Sequence, residues 1–495
     1  MPTLRSLFLA LAVSQTFAAP TAQNTYNVHL EKRQSLSDWP ALANSVGWDG
    51  WKAIFPDWQS FTTWVQTVGK AVTTPGNFLG EPGATDVLVA WARMMGATKS
   101  TPGLMSAALD AVNCEIAAHC LIESVLTGPD GYGSIPDIPN AAPRKPAMKS
   151  RTAVPNSETI KIRYGPYKVP SMKTKNLMGQ YGMLFNLPNK NLEKPCEGNC
   201  TLIGMSSGLE YADGKTANVN EGLWLHHLIL FNGGPGRVDT TCKSRDVSVP
   251  HASVGAVTSN TERIFAAGNE RVEGILPNMG VTDAGYKLYD TDRLSALIEL
   301  MNENMEDKIV YLTMTYDIVR GHPFKDEIKI IWMDVRQCGT SEVNPPKDKP
   351  QFTLEYKWTS DLDAELVGTI GHVHDGGTHT TLSVNGEETC RNNGAYGGSP
   401  EYIQENGGGH TQPAADGAHA GPATAHAETG RMVHLSDMHV CSGKDIEIRE
   451  MRKGQEWTLR AHYDFEKNKG MKAADGEWDG VMGISVVFVR VKGKD

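Results

Sequence analysis

Two periodicities divide the chain. Between Trp39 and Gly128 apolar residues recur at helical spacing: Trp58, Phe61, Val65 and Val68 share one face, a run from Val87 to Met95 opens at Thr85-Asp86, and a third spans Leu104 to Leu126. This predicts a small helical region over residues 34–127. Residues 128–157 then carry Pro129, Pro136, Pro139, Pro143, Pro146 and Pro155 with Gly128, Gly131 and Gly133, a composition suited to a linker. Beyond it the period shortens to two. Ile160 to Tyr164, Leu223 to Phe231, Ile309 to Val319, Ile328 to Val335, Phe352 to Trp358, Leu366 to Val373, Thr380 to Val384, Trp457 to Tyr463 and Met482 to Val491 read as strands between turn residues. The expected fold is mainly β: two jelly-roll-like antiparallel sandwiches behind the helical region. The Pro345-Pro346 and Pro350 interruption sets their boundary, giving residues 158–345 and 346–495. Residues 405–430, rich in Gly, Ala and His, have no period and read as a long insertion.

The N-terminal segment and the cysteines lead us to expect a secreted, extracellular chain. Arg5, the apolar run Leu7 to Val13 and the small residues before Pro20 read as a signal peptide over residues 1–18. Glu31-Lys32-Arg33-Gln34 offers dibasic processing, making residues 19–33 a propeptide. No later run has the roughly 20 apolar residues a membrane span needs. Eight cysteines, at 114, 120, 196, 200, 242, 338, 390 and 441, suit disulfides in an oxidising compartment. Cys441 is expected to pair with Cys390 across the insertion, whereas six residues of helix would point Cys114 and Cys120 apart. Asn199-Cys200-Thr201 is a glycosylation sequon. A net charge of -10 over 495 residues argues against nucleic acid as a partner.

Histidine carries the chemistry. Ten of the 15 histidines fall between positions 322 and 462. In the strand ending Gly371-His372-Val373-His374, alternation puts His372 and His374 on one face, where both imidazoles can reach one metal ion; a pair of hydrogen-bonded core histidines is the competing reading. In Trp224-Leu225-His226-His227-Leu228, adjacent residues face opposite sides, so His226 and His227 share a metal only if a bulge realigns them. Met482, on the face of Ile484, Val486 and Phe488, is core filler alone, but two imidazoles and a thioether form a set that suits Cu(I). His410, His419 and His426 read as solvated loop residues. Met438-His439-Val440-Cys441 is a weaker metal candidate. Gly208 to Thr216 has the wrong glycine spacing for a phosphate loop and reads as a turn.

These three segments, in this order, resemble the copper type II ascorbate-dependent monooxygenases, the group of peptidylglycine alpha-hydroxylating and dopamine beta-monooxygenases. His226-His227-Leu228-Ile229-Leu230-Phe231 is similar to their His-His-Met-Leu-Leu-Phe segment, His372-Val373-His374 to their His-x-His, and Met482 to their late methionine. His372 to Gly377 and Gly480-Val481-Met482-Gly483 look closer still to the stress up-regulated nodulin family of plants and fungi. Together the resemblances span roughly residues 158–495. They imply one copper on His372, His374 and Met482, where dioxygen is activated, and a second on His226 and His227 that passes electrons from an external reductant such as ascorbate. The third histidine of that second site is missing: Thr315 stands in its place in Leu312-Thr313-Met314-Thr315-Tyr316, leaving Met314, His251 or His322 as substitutes. One or two coppers and a small-molecule or peptide substrate are therefore expected. Two other readings remain: an extracellular copper-binding stress protein without turnover, and a carbohydrate- or surface-binding protein working through Trp48, Trp51 and Trp58.

Overall fold

The computed structural model describes residues 132–174, 181–186, 192–242, 261–337, 341–404, 431–472 and 478–493. The expected signal peptide, propeptide and helical region, with Cys114, Cys120 and the tryptophans there, lie outside the described residues, as do His251 and the His410, His419 and His426 insertion.

The described chain is mainly β, and its strands stack as two sandwiches. In the first, Ser157–Val169, Lys308–Arg320, Cys200–Tyr211 and Ala284–Leu288 form one wall, while Met183–Asn186, Arg293–Asn302, Leu223–Gly233 and Thr261–Ala267 form the other. In the second, Asp326–Asp334, Gly483–Val491 and Ala364–Val373 face a five-stranded sheet of Gln351–Thr359, Glu456–Asp464, Gly377–Val384, Glu387–Tyr396 and Leu435–Met438. Apolar residues from both walls meet in each interior. Ile162 and Leu209 pack in one cluster with Leu225 and Leu230; Leu366 and Val487 share another with Leu382, Leu459 and Trp457.

The nine segments with period-two patterning are all strands. One sheet runs through both sandwiches. Asp326–Asp334, which precedes Pro345-Pro346, pairs antiparallel with the last strand from Glu327↔Val491 to Asp334↔Ile484, and briefly in parallel with Ala284–Leu288. The main core cluster runs across the same seam, holding Leu225 and Leu228 of the first sandwich with Ile484 and Phe488 of the second. Within the proline-rich stretch before the first long strand, Gly133–Ser134 pairs with Lys168 and Tyr167.

Cys390 and Cys441 are disulfide-bonded, as the sequence led us to expect, and Cys196 bonds Cys200. No described cysteine is free. In the sequon, Asn199 is exposed and its side-chain oxygen accepts from Asp290 N. Gly208 to Tyr211, read as part of a turn, instead closes the strand Cys200–Tyr211; the turn follows at Ala212 and Asp213.

On the five-stranded sheet the His379 and His462 rings stack face to face at 4.1 Å. Burial, then the neighbouring His462, pulls His379 down to about 4 from its ordinary 6.5. The unfolded chain therefore takes up this proton first, so the stability tied to His379 is present above about pH 6.5 and is lost as pH falls toward 4. Melting curves from pH 7.5 to 4 should show His379→Gln losing less stability over that window than the wild type; parallel curves would refute the assignment.

Candidate metal centre

The His-His strand bulges where the sequence requires it. Its pairing with Arg293–Asn302 runs Leu225↔Leu300 and then His227↔Glu299, so His226 is the extra residue with no partner of its own. Leu225 and Leu228 stay in the core while both imidazoles leave it for the seam. From the other sandwich, His372 sits opposite Ile484 on Ala364–Val373 and His374 lies just beyond the end of that strand. The intervening Val373 faces the core.

Histidines of both sandwiches thus converge. One ring nitrogen each from His226, His227 and His374 can be chosen so that all lie within 4.8 Å of one another. The His227 ring is 4.1 Å from His226, 5.0 Å from His374 and 5.8 Å from His372, centroid to centroid. Two separate pairs, one per sandwich, are not what the fold builds; the pairs face each other.

The outer partners of the rings fix how they present themselves. His227 Nδ1 donates to Glu299 Oε2 at 2.9 Å, His374 Nδ1 to the Gly480 carbonyl at 2.7 Å, and His372 Nδ1 to Glu270 Oε1 at 2.6 Å. Each acceptor can take only a ring N–H, so we assign the proton to Nδ1 and the lone pair to Nε2 in all three. Glu299 Oε1 also stands 3.5 Å from His226 Nδ1, an ion-pair contact that leaves this buried nitrogen without a hydrogen bond. His372 Nε2 is buried without one as well. Glycine at 268 permits the approach of His372, since a Cβ there would come within 2.7 Å of the His372 ring and of Glu270.

Burial and charge set the proton balance. Burial disfavours the His226 cation, but the Glu299 charge outweighs it and lifts His226 to about 9. Burial, followed by repulsion from His226, drops His227 to about 3, and burial with the neighbouring His227 and His226 holds His374 well below the ordinary value.

His227 Nε2 and His374 Nε2 are 2.8 Å apart. With both Nδ1 positions protonated, two lone pairs confront each other at hydrogen-bond distance in a buried site, and neither ring readily takes the proton that would relieve them. A metal cation accepting both lone pairs would relieve them, and His227 and His374 would then be its donors. The donor set therefore fits a transition-metal ion.

The other expected residues divide clearly. Met482 is buried in the main core cluster, and the segment Gly480 to Met482 touches His374 through the Gly480 carbonyl. Thr315 and Met314 lie on Lys308–Arg320, in the opposite wall from His226, with Thr315 level with Ser206 and Lys161. His322 faces the Leu288 carbonyl and Tyr289. His439 meets Asp445 near the surface. Sequence reasoning missed Glu299, Glu270 and the buried chain in which His434 contacts Asp375 Oδ2 and Gln404 Oε1. A lone Glu in the apolar run Leu297-Ile298-Glu299-Leu300 was the available signal for the first.

Together these features define a buried histidine cluster, with a geometry suited to holding a metal ion, at the seam of two β sandwiches. Its relatives carry a more particular name. The chain is 28% identical over 334 residues to "Probable copper-dependent oxygenase M1" of Phoma sp., covering 67% of this chain and 72% of that protein. It is 28% identical over 290 residues to "Probable copper-dependent oxygenase clz3" of Cochliobolus lunatus, covering 58% of this chain and 79% of that one. These similarities relate the chain to copper oxygenases. It matches no protein-family profile. Among solved structures, peptide N-glycanase F aligns over 74% of this chain and 95% of its own at 10% identity, with a TM-score of 0.25, which carries no argument.

Proposed function

We propose that this protein is a secreted copper-dependent monooxygenase with one copper centre, held by His227, His374 and, once copper displaces its proton, His226, with His372 and Met482 beside it. The observation that carries the reading is the pair of facing Nε2 atoms, one from each sandwich, whose Nδ1 atoms are already committed. Copper in such a site supplies dioxygen activation for oxidation of a substrate C–H bond, with electrons from an external reductant such as ascorbate. The chain's own part is to hold and orient. Glu299 and the Gly480 carbonyl keep the Nδ1 protons, Glu270 holds His372, and the surrounding core excludes water. The disulfides support an oxidising, extracellular setting. Met482 as a thioether ligand, a small-molecule or peptide substrate, and kinship with the nodulin family are further parts of the proposal, supported by the motif order.

Thr315 favours a second reading, an extracellular copper-binding protein without turnover, because the electron-transfer site of the resembled monooxygenases needs a histidine there. Anaerobic Cu(I) titration followed by ascorbate-dependent oxygen uptake separates the two. The proposal expects one tight equivalent and reductant-dependent uptake; copper without uptake moves the protein to the second reading, and no copper sinks both.

A further inference from the structure

We infer that Tyr463 is a positioning residue that aims His374 at His227 by taking the place of one rung of the sheet. The strands Ala364–Val373 and Gly483–Val491 pair antiparallel, with Gly371↔Ser485, His372↔Ile484 and Val373↔Gly483 as successive partners. Continued by one step, the ladder would set His374 opposite Met482. It stops there. The His374 amide donates to the Tyr463 hydroxyl at 2.9 Å, and that hydroxyl donates to the Met482 carbonyl at 2.5 Å. One oxygen thus stands between the two backbone groups that a closed rung would join directly at about 2.9 Å.

Tyr463 reaches in from the facing sheet, on Glu456–Asp464. Its ring stacks on Phe352 at 5.1 Å and meets Phe465 edge-on at 6.0 Å, so packing rather than the hydroxyl fixes where the oxygen sits. Burial pushes the phenol well up, which keeps the O–H that the Met482 carbonyl requires. The inserted oxygen holds the chain at His374 off the last strand. The imidazole is thereby free to reach His227 at 2.8 Å while its Nδ1 reaches Gly480 at 2.7 Å. On the other side of the split, Val481 pairs with Val343 instead. Without the hydroxyl, a buried amide and a buried carbonyl lose their partner, and a direct bond between them draws His374 back toward the sheet.

The metal readout rests on the copper reading above; the positional one does not. Tyr463→Phe keeps the stacked ring and is expected to lower Cu(II) affinity 10–100-fold, with altered copper hyperfine couplings in the EPR spectrum. Tyr396→Phe is the comparator: its hydroxyl likewise accepts from Gly376 N and donates to Gly377 O, two residues further on, and its loss should leave the copper spectrum native. A crystal structure of metal-free Tyr463→Phe should show His374 N bonded to Met482 O and the His227–His374 contact broken. That result in a protein whose wild type binds no copper would retain the positioning role and discard the copper reading. A native affinity and spectrum, or an unmoved His374 with water in place of the hydroxyl, would overturn the inference. Should Tyr463→Phe fail to fold, 4-fluorophenylalanine at 463 keeps the ring but has no hydrogen to donate to the Met482 carbonyl and accepts only feebly from the His374 amide, so the bridge is lost; a native copper spectrum there would overturn it equally.

Discussion

Alanine at His374 is expected to lower copper affinity by at least about a hundredfold, beyond the 10–100-fold usual for loss of an outer partner, and His227→Ala is expected to remove the same equivalent. The two residues come from different sandwiches, yet their Nε2 atoms are 2.8 Å apart, so the proposed centre has them share one ion. Anaerobic titration of each variant and of the pair is the measurement. In a single centre the double variant loses no more copper than either single one. In two independent sites each single variant would retain one equivalent and only the double variant would lose both, and that pattern would sink the shared centre. His322→Ala, whose ring lies against the Leu288 carbonyl, should bind copper normally. Melting temperatures of all variants separate loss of the site from loss of the fold.

The histidines were legible in the sequence because strand alternation is a local rule, and His372 and His374 do share a face. What joined them to His226 and His227 was not local. The bulge at His226 exists only against Arg293–Asn302, a strand whose run Leu294-Ser295-Ala296-Leu297-Ile298-Glu299-Leu300 has no alternation to reveal it. Cys200–Tyr211 escaped for a different reason. Gly208 read as the start of a turn, but it is opposite Thr313, where a Cβ would come within 2.9 Å of the Thr313 hydroxyl, so the glycine marks close approach between neighbouring strands. The resemblance to two-copper monooxygenases singled out these histidines and implied two sites. The seam, built by pairing Asp326–Asp334 with the last strand, brings those sites face to face. Register between distant strands decided the architecture of the centre, and no single segment encodes it.

That seam makes Asp239 the residue whose loss should cost the most stability. Its carboxylate takes both Arg263 Nε at 2.8 Å and a second guanidinium nitrogen at 3.0 Å, and it also accepts from the Cys242 amide at 2.9 Å. Arg263 is fully buried, with its guanidinium 4.9 Å from the Trp332 ring centroid. Arg263 stands on Thr261–Ala267, beside the His-His strand, while Trp332 stands on Asp326–Asp334, which carries the sheet into the second sandwich. Burial disfavours the Asp239 carboxylate, but the Arg263 charge outweighs it and holds the group below its ordinary value. Asp239→Ala leaves the guanidinium buried without its hydrogen-bonded carboxylate, the Asp334 charge remaining near it, with an expected loss of about 3–5 kcal/mol by denaturant unfolding. Replacing both partners by apolar residues, Asp239→Leu with Arg263→Met, should recover most of that loss, because the penalty lies in the stranded charge rather than in the absent pair. Equal losses in the single and double variants would instead show that the pair is held by its shape in the seam, and that charge has little part in joining the two sandwiches around the metal centre.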